Sequence, residues 1–192
     1  VVELTKAQLE AKGAEVVVAD VAALGLPFFD APVPPSSPDF VPEHDSVKQW
    51  TQLVADADGV VFVTPEYNHN MSAIQKNAID WIGKEWEGKR IALVGCGWTS
   101  GAHQAHAAAR ESLAANLKAE VLDTATNLFF MKDLQPDGTP VDEQAVTAKL
   151  GETLDELLAK IACLLPCYKL THFPLHREVC FLHLLPCPFD GA

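Results

Sequence analysis

Val60-Val61-Phe62-Val63-Thr64-Pro65-Glu66-Tyr67-Asn68-His69-Asn70-Met71 runs directly into Ser72-Ala73-Ile74-Gln75. The opening apolar run, rich in β-branched residues, reads as a buried strand. A Ser three residues ahead of a Gln reads as a capping box that opens a helix. Thr64 to Met71 is then the loop between them, and the whole stretch is one strand–loop–helix step of an α/β chain.

The same rhythm extends in both directions. Upstream, Ser46-Val47-Lys48-Gln49 reads as a second capping box, with Val47, Trp50, Leu53 and Val54 on one helix face and Gly59 as the stop. Before it, Pro27, Pro32, Pro34, Pro35, Pro38 and Pro42 remove backbone donors and predict an extended connection. Leu4, Ala7 and Ala11 predict a helix capped near Gly13, and the β-branched run in residues 15–20 predicts a strand buried on both faces. Downstream come a strand at 90–94, an Ala-rich helix after Gly101 and a strand at 120–122. Pro136-Asp137-Gly138 reads as a turn, with Thr139 and Pro140 as the N-cap and first residue of a last helix. That helix carries the stripe Val146, Leu150, Leu154, Leu157 and Ile161. Alternating strands and helices imply a parallel sheet covered on both faces.

At 192 residues the chain has the length of one domain, and 48% hydrophobic with 21% charged residues is globular composition. A formal charge of -12 repels a polyphosphate backbone, so nucleic acid is not an expected partner. Residues 1–6 lack a basic stretch followed by an apolar one, and no apolar run reaches the roughly 18 residues of a membrane span. The expectation is a soluble, cytoplasmic protein. Of five cysteines, Cys96 stands alone and Cys163, Cys167, Cys180 and Cys187 crowd the end of the chain, unlike a disulfide framework. Cys163, Cys167, His172, His176 and Cys180 do not have the intervals of zinc modules, and His103 with His106 makes two ligands at most. No metal is expected. Glu178 to Leu185 would form one short strand.

Ligands of an open parallel sheet sit beyond the carboxyl ends of its strands. Two loops meet that condition. In the first, Pro65 removes a donor, Tyr67 can pack on an apolar body and Asn68 both donates and accepts. In the second, Gly95-Cys96-Gly97-Trp98-Thr99-Ser100-Gly101, the glycines allow close backbone approach and a helix N-terminus faces the ligand. Ser100 could equally be an N-cap there. Cys96, at the end of an apolar strand, reads as a small buried hydrophobe.

Thr64-Pro65-Glu66-Tyr67-Asn68, followed at fixed distance by Lys76-Asn77-Ala78-Ile79-Asp80-Trp81, resembles the signature of the NADPH-dependent FMN reductase family, and the resemblance covers residues 1–161. It implies a flavodoxin-like α/β sandwich, bound FMN, NADPH as co-substrate, and electrons passed to quinones or other small acceptors. It implies that Pro65, Glu66, Tyr67 and Asn68 contact the isoalloxazine ring, largely through main chain. Gly97, Trp98, Thr99 and Ser100 would line its other side, with no side chain acting as acid or base. A homodimer or homotetramer is implied too, with Trp81, Ile82 and Trp86 near the contact. The pattern departs from the family at Asn70, Ser72, Ala73 and Gln75.

Family members begin with a strand and a phosphate-holding loop that do not precede Val1 here. The expected sheet, of order 2-1-3-4-5, therefore lacks its central first strand. Residues 162–192 match nothing in the family and are expected to be a separate tail. The competing reading is a non-catalytic truncated paralogue or interaction protein that binds no flavin.

Overall fold

The computed structural model describes residues 1–163, and the backbone of residues 178–183. Helix α1 (Val2–Ala11) leads into strand β1 (Glu15–Asp20) and the short helix α2 (Val21–Leu24). The proline-rich connection then reaches α3 (Asp45–Asp56), β2 (Gly59–Tyr67), the short β3 (Asn70–Met71) and α4 (Ala73–Asp80). After these come β4 (Arg90–Gly97), α5 (His103–Arg110), β5 (Glu120–Phe129), α6 (Glu143–Ala162) and β6 (Glu178–His183). The strand order is β1-β6-β2-β4-β5, every neighbour in it parallel, with β3 antiparallel to β2 off that path.

Two apolar layers hold the helices to the sheet. Val60 and Phe62 of β2 pack with Trp50, Ile79, Trp86 and Ala105 on one side. Val61 and Val63 pack with Leu9, Leu150, Leu154 and Leu157 on the other. Successive strand residues point to opposite faces, so a strand covered on both sides must be apolar at every position. That is why residues 60–63 of β2 read as an unbroken apolar run. The predicted stripe of α6, Val146, Leu150, Leu154, Leu157 and Ile161, is buried throughout. Among the described residues, no helix is long and apolar enough to cross a membrane.

Several local expectations change in the folded chain. Among the described strands β1 is an edge strand paired with β6 alone, and at that margin of the sheet its faces are incompletely covered, so Val17 and Val18 are 38% and 41% exposed and the expectation of a strand buried on both faces is not met. α3 begins at Asp45 with His44 as its N-cap and no side-chain cap bond, so the Ser46 capping box does not form. Gly59 does not stop that helix but opens β2, where a Cβ would lie 2.9 Å from Ile161 Cδ1. α6 is capped by Asp142, whose carboxylate accepts from the Ala145 amide at 3.1 Å, and Thr139 instead bonds Asp137. Between β1 and β2, where the expected sheet lacked a strand, lies β6; it starts at Glu178 as expected, and residues 184–185 of the expected span lie outside the described residues.

Candidate functional site

β2 does not end at Val63. Pairing with β4 continues through Pro65 opposite Cys96, so the first half of the expected loop is strand. The chain then reverses in a two-residue turn, Asn68 at φ 50° and His69 at φ 61°, and β3 pairs back with Tyr67 opposite Asn70 and Glu66 opposite Met71. Two consecutive positive φ values are the mark of a tight hairpin matched to strand twist, and Asn tolerates that region better than most residues. Behind the turn, Ser72 Oγ accepts from the Gln75 amide at 3.2 Å, as the capping box requires. The Gln75 side chain does not reach back to Ser72. Its Oε1 accepts from Thr64 Oγ1 at 2.7 Å, a buried bond that ties α4 to β2.

Strand β4 is likewise longer than its apolar core, because Gly95, Cys96 and Gly97 still pair with β5. A Cβ on Gly95 would stand 2.4 Å from Ala102 Cβ and 2.6 Å from His106 Nε2. The glycine is there because α5 lies directly on the strand. At Gly97 a Cβ would meet the Ala102 amide nitrogen at 3.1 Å. The loop proper is therefore residues 98–102, ending in Gly101 and Ala102 with φ 59° and 83°.

Glu66 joins the two stretches. Its carboxylate accepts from Ser100 Oγ, from the Gln104 amide at 2.9 Å and from the Ala105 amide at 3.2 Å. The N-cap position of α5, Ala102, has no side chain able to cap, and the carboxylate from β2 takes that role. A negative charge there complements the unsatisfied amides and the positive end of the helix dipole. Ser100 is thus a donor to Glu66 and not the cap. The expectation that this helix end faces a ligand is replaced by an internal carboxylate whose side chain is 5% exposed. Burial on its own pushes the Glu66 carboxyl up. The bonds from Ser100, Ala105 and Gln104, with His69 3.7 Å away, outweigh it and hold the group below the usual carboxylate range.

The candidate residues come together along the carboxyl edge of β2 and β4. Pro65 and Gly97 are buried, Glu66 and Ser100 half-buried, and Tyr67, Asn68, Trp98 and Thr99 exposed. Trp98 lies flat against Phe130, ring centroids 5.0 Å apart. His103 and His106 do not share a surface, since His103 is exposed and His106 is 3% exposed. His106, considered in the sequence only as a partner of His103, is instead a buried, separate group. Neither ring nitrogen has a hydrogen bond of good geometry, although Asn127 lies beside it. Burial, then the charges of Arg110 and His103, lowers its pKa to about 4. Among the described residues, no group of His, Cys, Asp and Glu could hold a metal ion. Cys167, His172, His176 and Cys187 lie outside the described residues.

Trp81, Ile82 and Trp86 are not surface anchors. They are at most 3% exposed, and the indole nitrogens donate to Pro27 O at 2.6 Å and Ile79 O at 3.1 Å. Asn77 accepts from the Phe29 amide at 2.9 Å and donates to Pro27 O at 2.8 Å. The string from Lys76 to Trp81 therefore pins the proline connection to α4. The polar Asn77 and the indole of Trp81, placed one helical turn apart, were the only sequence signal of this.

The sequence pattern of the family described as NADPH-dependent FMN reductase matches residues 1–130. The chain is 37% identical over 136 residues to an NAD(P)H-dependent FMN reductase of Nectria sp, covering 69% of this chain and 64% of that protein. A Schizosaccharomyces pombe protein named as an NAD(P)H-dependent FMN reductase is 36% identical over 113 residues, 59% of this chain and 54% of its own length. The chain thus spans less than two thirds of these relatives. Among solved structures, the flavoenzyme NAD(P)H:(acceptor) oxidoreductase FerB of Paracoccus denitrificans superposes with a TM-score of 0.64 at 22% identity, covering 84% of this chain and 87% of that one. The fold is flavodoxin-like, and with the family pattern running from the first residue through β5, this chain belongs to the NADPH-dependent FMN reductase family.

Proposed function

We propose that the chain is an FMN-dependent NAD(P)H oxidoreductase that passes reducing equivalents from NADPH to quinone-like or other small acceptors. The observation that carries this reading is the Glu66 clamp, which holds residues 65–68 and 97–100 side by side at the carboxyl edge of the sheet. The residues fit a planar heterocycle. Gly97 keeps the strand end free of side chain, the Asn68-His69 turn presents main chain, and Tyr67 and Trp98 offer exposed aromatic surface. Pro65, Glu66, Tyr67 and Asn68 would hold one side of the ring, and Gly97, Trp98, Thr99 and Ser100 the other. Bound FMN supplies hydride acceptance and electron return, while the protein contributes orientation and electrostatics. Glu66 works behind the surface, through its carboxylate, and no side chain of the site needs to transfer a proton.

The same proposal includes a cytoplasmic setting, in keeping with cysteines not arranged as a disulfide framework, and a homodimer or homotetramer. With Trp81, Ile82 and Trp86 in the core, the assembly would use exposed apolar residues such as Phe28, Val41 and Met131. Light scattering at micromolar concentration should give a multiple of the 20.8 kDa chain mass.

Titration of the full chain with FMN, followed by flavin fluorescence, tests the cofactor. Steady-state kinetics with NADPH and a quinone should then be ping-pong, because one flavin accepts the hydride before it gives up electrons. A chain that neither binds FMN nor oxidises NADPH in its presence is the non-catalytic alternative.

A further inference from the structure

Phe129, the last residue of β5, stands in register with Gly97, the last residue of β4, so the segment after it leaves the same carboxyl edge as the candidate site. That segment is a closed turn. The Met131 amide donates to Leu134 O at 2.7 Å and the Leu134 amide to Phe129 O at 3.1 Å, while Asp133 accepts from the Phe129 amide at 2.9 Å. Met131, at φ 66°, and Lys132 are left exposed on its outside, and Trp98 stacks on the neighbouring Phe130. The Lys132 ammonium lies 5.7 Å from the centre of the Phe129 ring. The same ring is packed against Gly101, where a Cβ would meet Phe129 Cε2 at 2.6 Å. The cation is thereby seated beside the 98–102 loop.

In this acidic chain most of the described lysines pair with a carboxylate. Lys132 has no ion pair among the described residues. The carboxylate next to it, Asp133, is 7% exposed, and its oxygens are taken by Lys149 at 2.6 Å and by the Phe129 amide. Neither stretch of the candidate site, residues 64–71 or 97–102, contains a lysine or arginine. A positive point beside such a crevice, in a chain of formal charge -12, is where the anionic part of a ligand is held. Lysine binds phosphate as a point charge. NADPH differs from NADH by one phosphate, on the 2′-oxygen of its adenosine, and in dinucleotide sites a basic side chain accommodates that group. We propose that Lys132 bonds the adenosine 2′-phosphate and sets a preference for NADPH over NADH, with Met131 beside it as apolar support for the adenosine. The assignment rests on the NADPH reading above.

Adenosine 2′,5′-bisphosphate and adenosine 5′-monophosphate differ by the 2′-phosphate alone, so calorimetry of each on the full chain reads its contribution without turnover. The bisphosphate should bind at least about tenfold more tightly, the scale of one charge-assisted hydrogen bond. Lys132→Gln should bring it to within about twofold of the monophosphate, whose own affinity stays unchanged, and Lys132→Arg should restore the difference. Equal affinities in the unaltered chain, no binding of the bisphosphate, or a difference that survives Lys132→Gln each overturn the proposal. FMN, titrated by fluorescence, should bind Lys132→Gln as it binds the unaltered chain; a weaker FMN complex assigns the lysine to the flavin phosphate and overturns the proposal too. In turnover, Lys132→Gln should raise KM for NADPH at least about tenfold and leave kcat and the KM for NADH within about twofold. A chain that binds no FMN, yet loses bisphosphate affinity in Lys132→Gln, keeps the phosphate site and fails the reductase reading. FMN binding and NADPH oxidation that do not depend on Lys132 do the reverse.

Discussion

Glu66, on β2, accepts a hydrogen bond from the hydroxyl of Ser100, in the loop after β4, and with its other oxygen accepts from the first amides of α5. One carboxylate therefore sets the spacing of the two stretches that form the candidate site. Glu66→Ala leaves a hydroxyl and two amides without their acceptor and should cost about 1–3 kcal/mol, read as a lower urea midpoint. Glu66→Gln keeps an acceptor oxygen and should lose less. Equal losses in the two variants would show that the acceptor is not what matters.

Acid should weaken the fold in two separate windows. His106 is depressed from 6.5 to about 4 in the folded chain. Its contribution is fully present above pH 6.5 and is lost as pH falls toward 4, because the unfolded state takes up the proton first. The full shift corresponds to roughly 3 kcal/mol. Glu66 is also depressed, so its contribution is present above the ordinary carboxylate range and lost only at lower pH. His106→Leu removes both unpaired ring nitrogens and should flatten stability between pH 6.5 and 4 while leaving the steeper loss below. Urea unfolding across that range, on the two chains, gives the comparison; parallel curves would exclude His106 as the source.

Gly95→Ala should destabilise by about 1–3 kcal/mol, since the new methyl would press on Ala102 and His106 and overpacked sites cost that much. Gly138, in an open turn at φ 80° with nothing within 4 Å of its Cβ position, should lose only about 1 kcal/mol on the same change, from backbone strain. Thermal midpoints of the two variants should fall in that order.

At Asn68 the φ of 50° separates backbone from side chain. Asn68→Ala should lower FMN affinity by about 1–2 kcal/mol, through turn strain and a lost hydrogen-bonding group. Asn68→Gly removes the side chain but suits the turn. If the contact is main chain, the glycine variant should bind FMN within about threefold of the unaltered chain. An equally weak glycine variant assigns the contact to the side-chain amide.

Residue order determined the layer architecture and the family. Residues 60–63 of β2 had to be apolar at every position because both faces are covered there, and α6 had to carry a stripe because one of its faces is. Such local periodicities survive in a one-dimensional string. What packs against what does not. Ser46 resembles a cap as well as Ser72 does, yet only Ser72 receives its bond, because α3 starts at Asp45 and puts Ser46 inside the helix, whereas Ser72 stands at the N-cap position of α4. The capping of α5 by Glu66 joins residues nearly forty positions apart, and nothing around either one signals it. Trp81 and Trp86 look like interface anchors until the fold surrounds them. The place of β6 was the least legible of all. A six-residue segment with four apolar residues at its centre states that it can be a strand, but its partners are chosen only once β1 and β2 are in position.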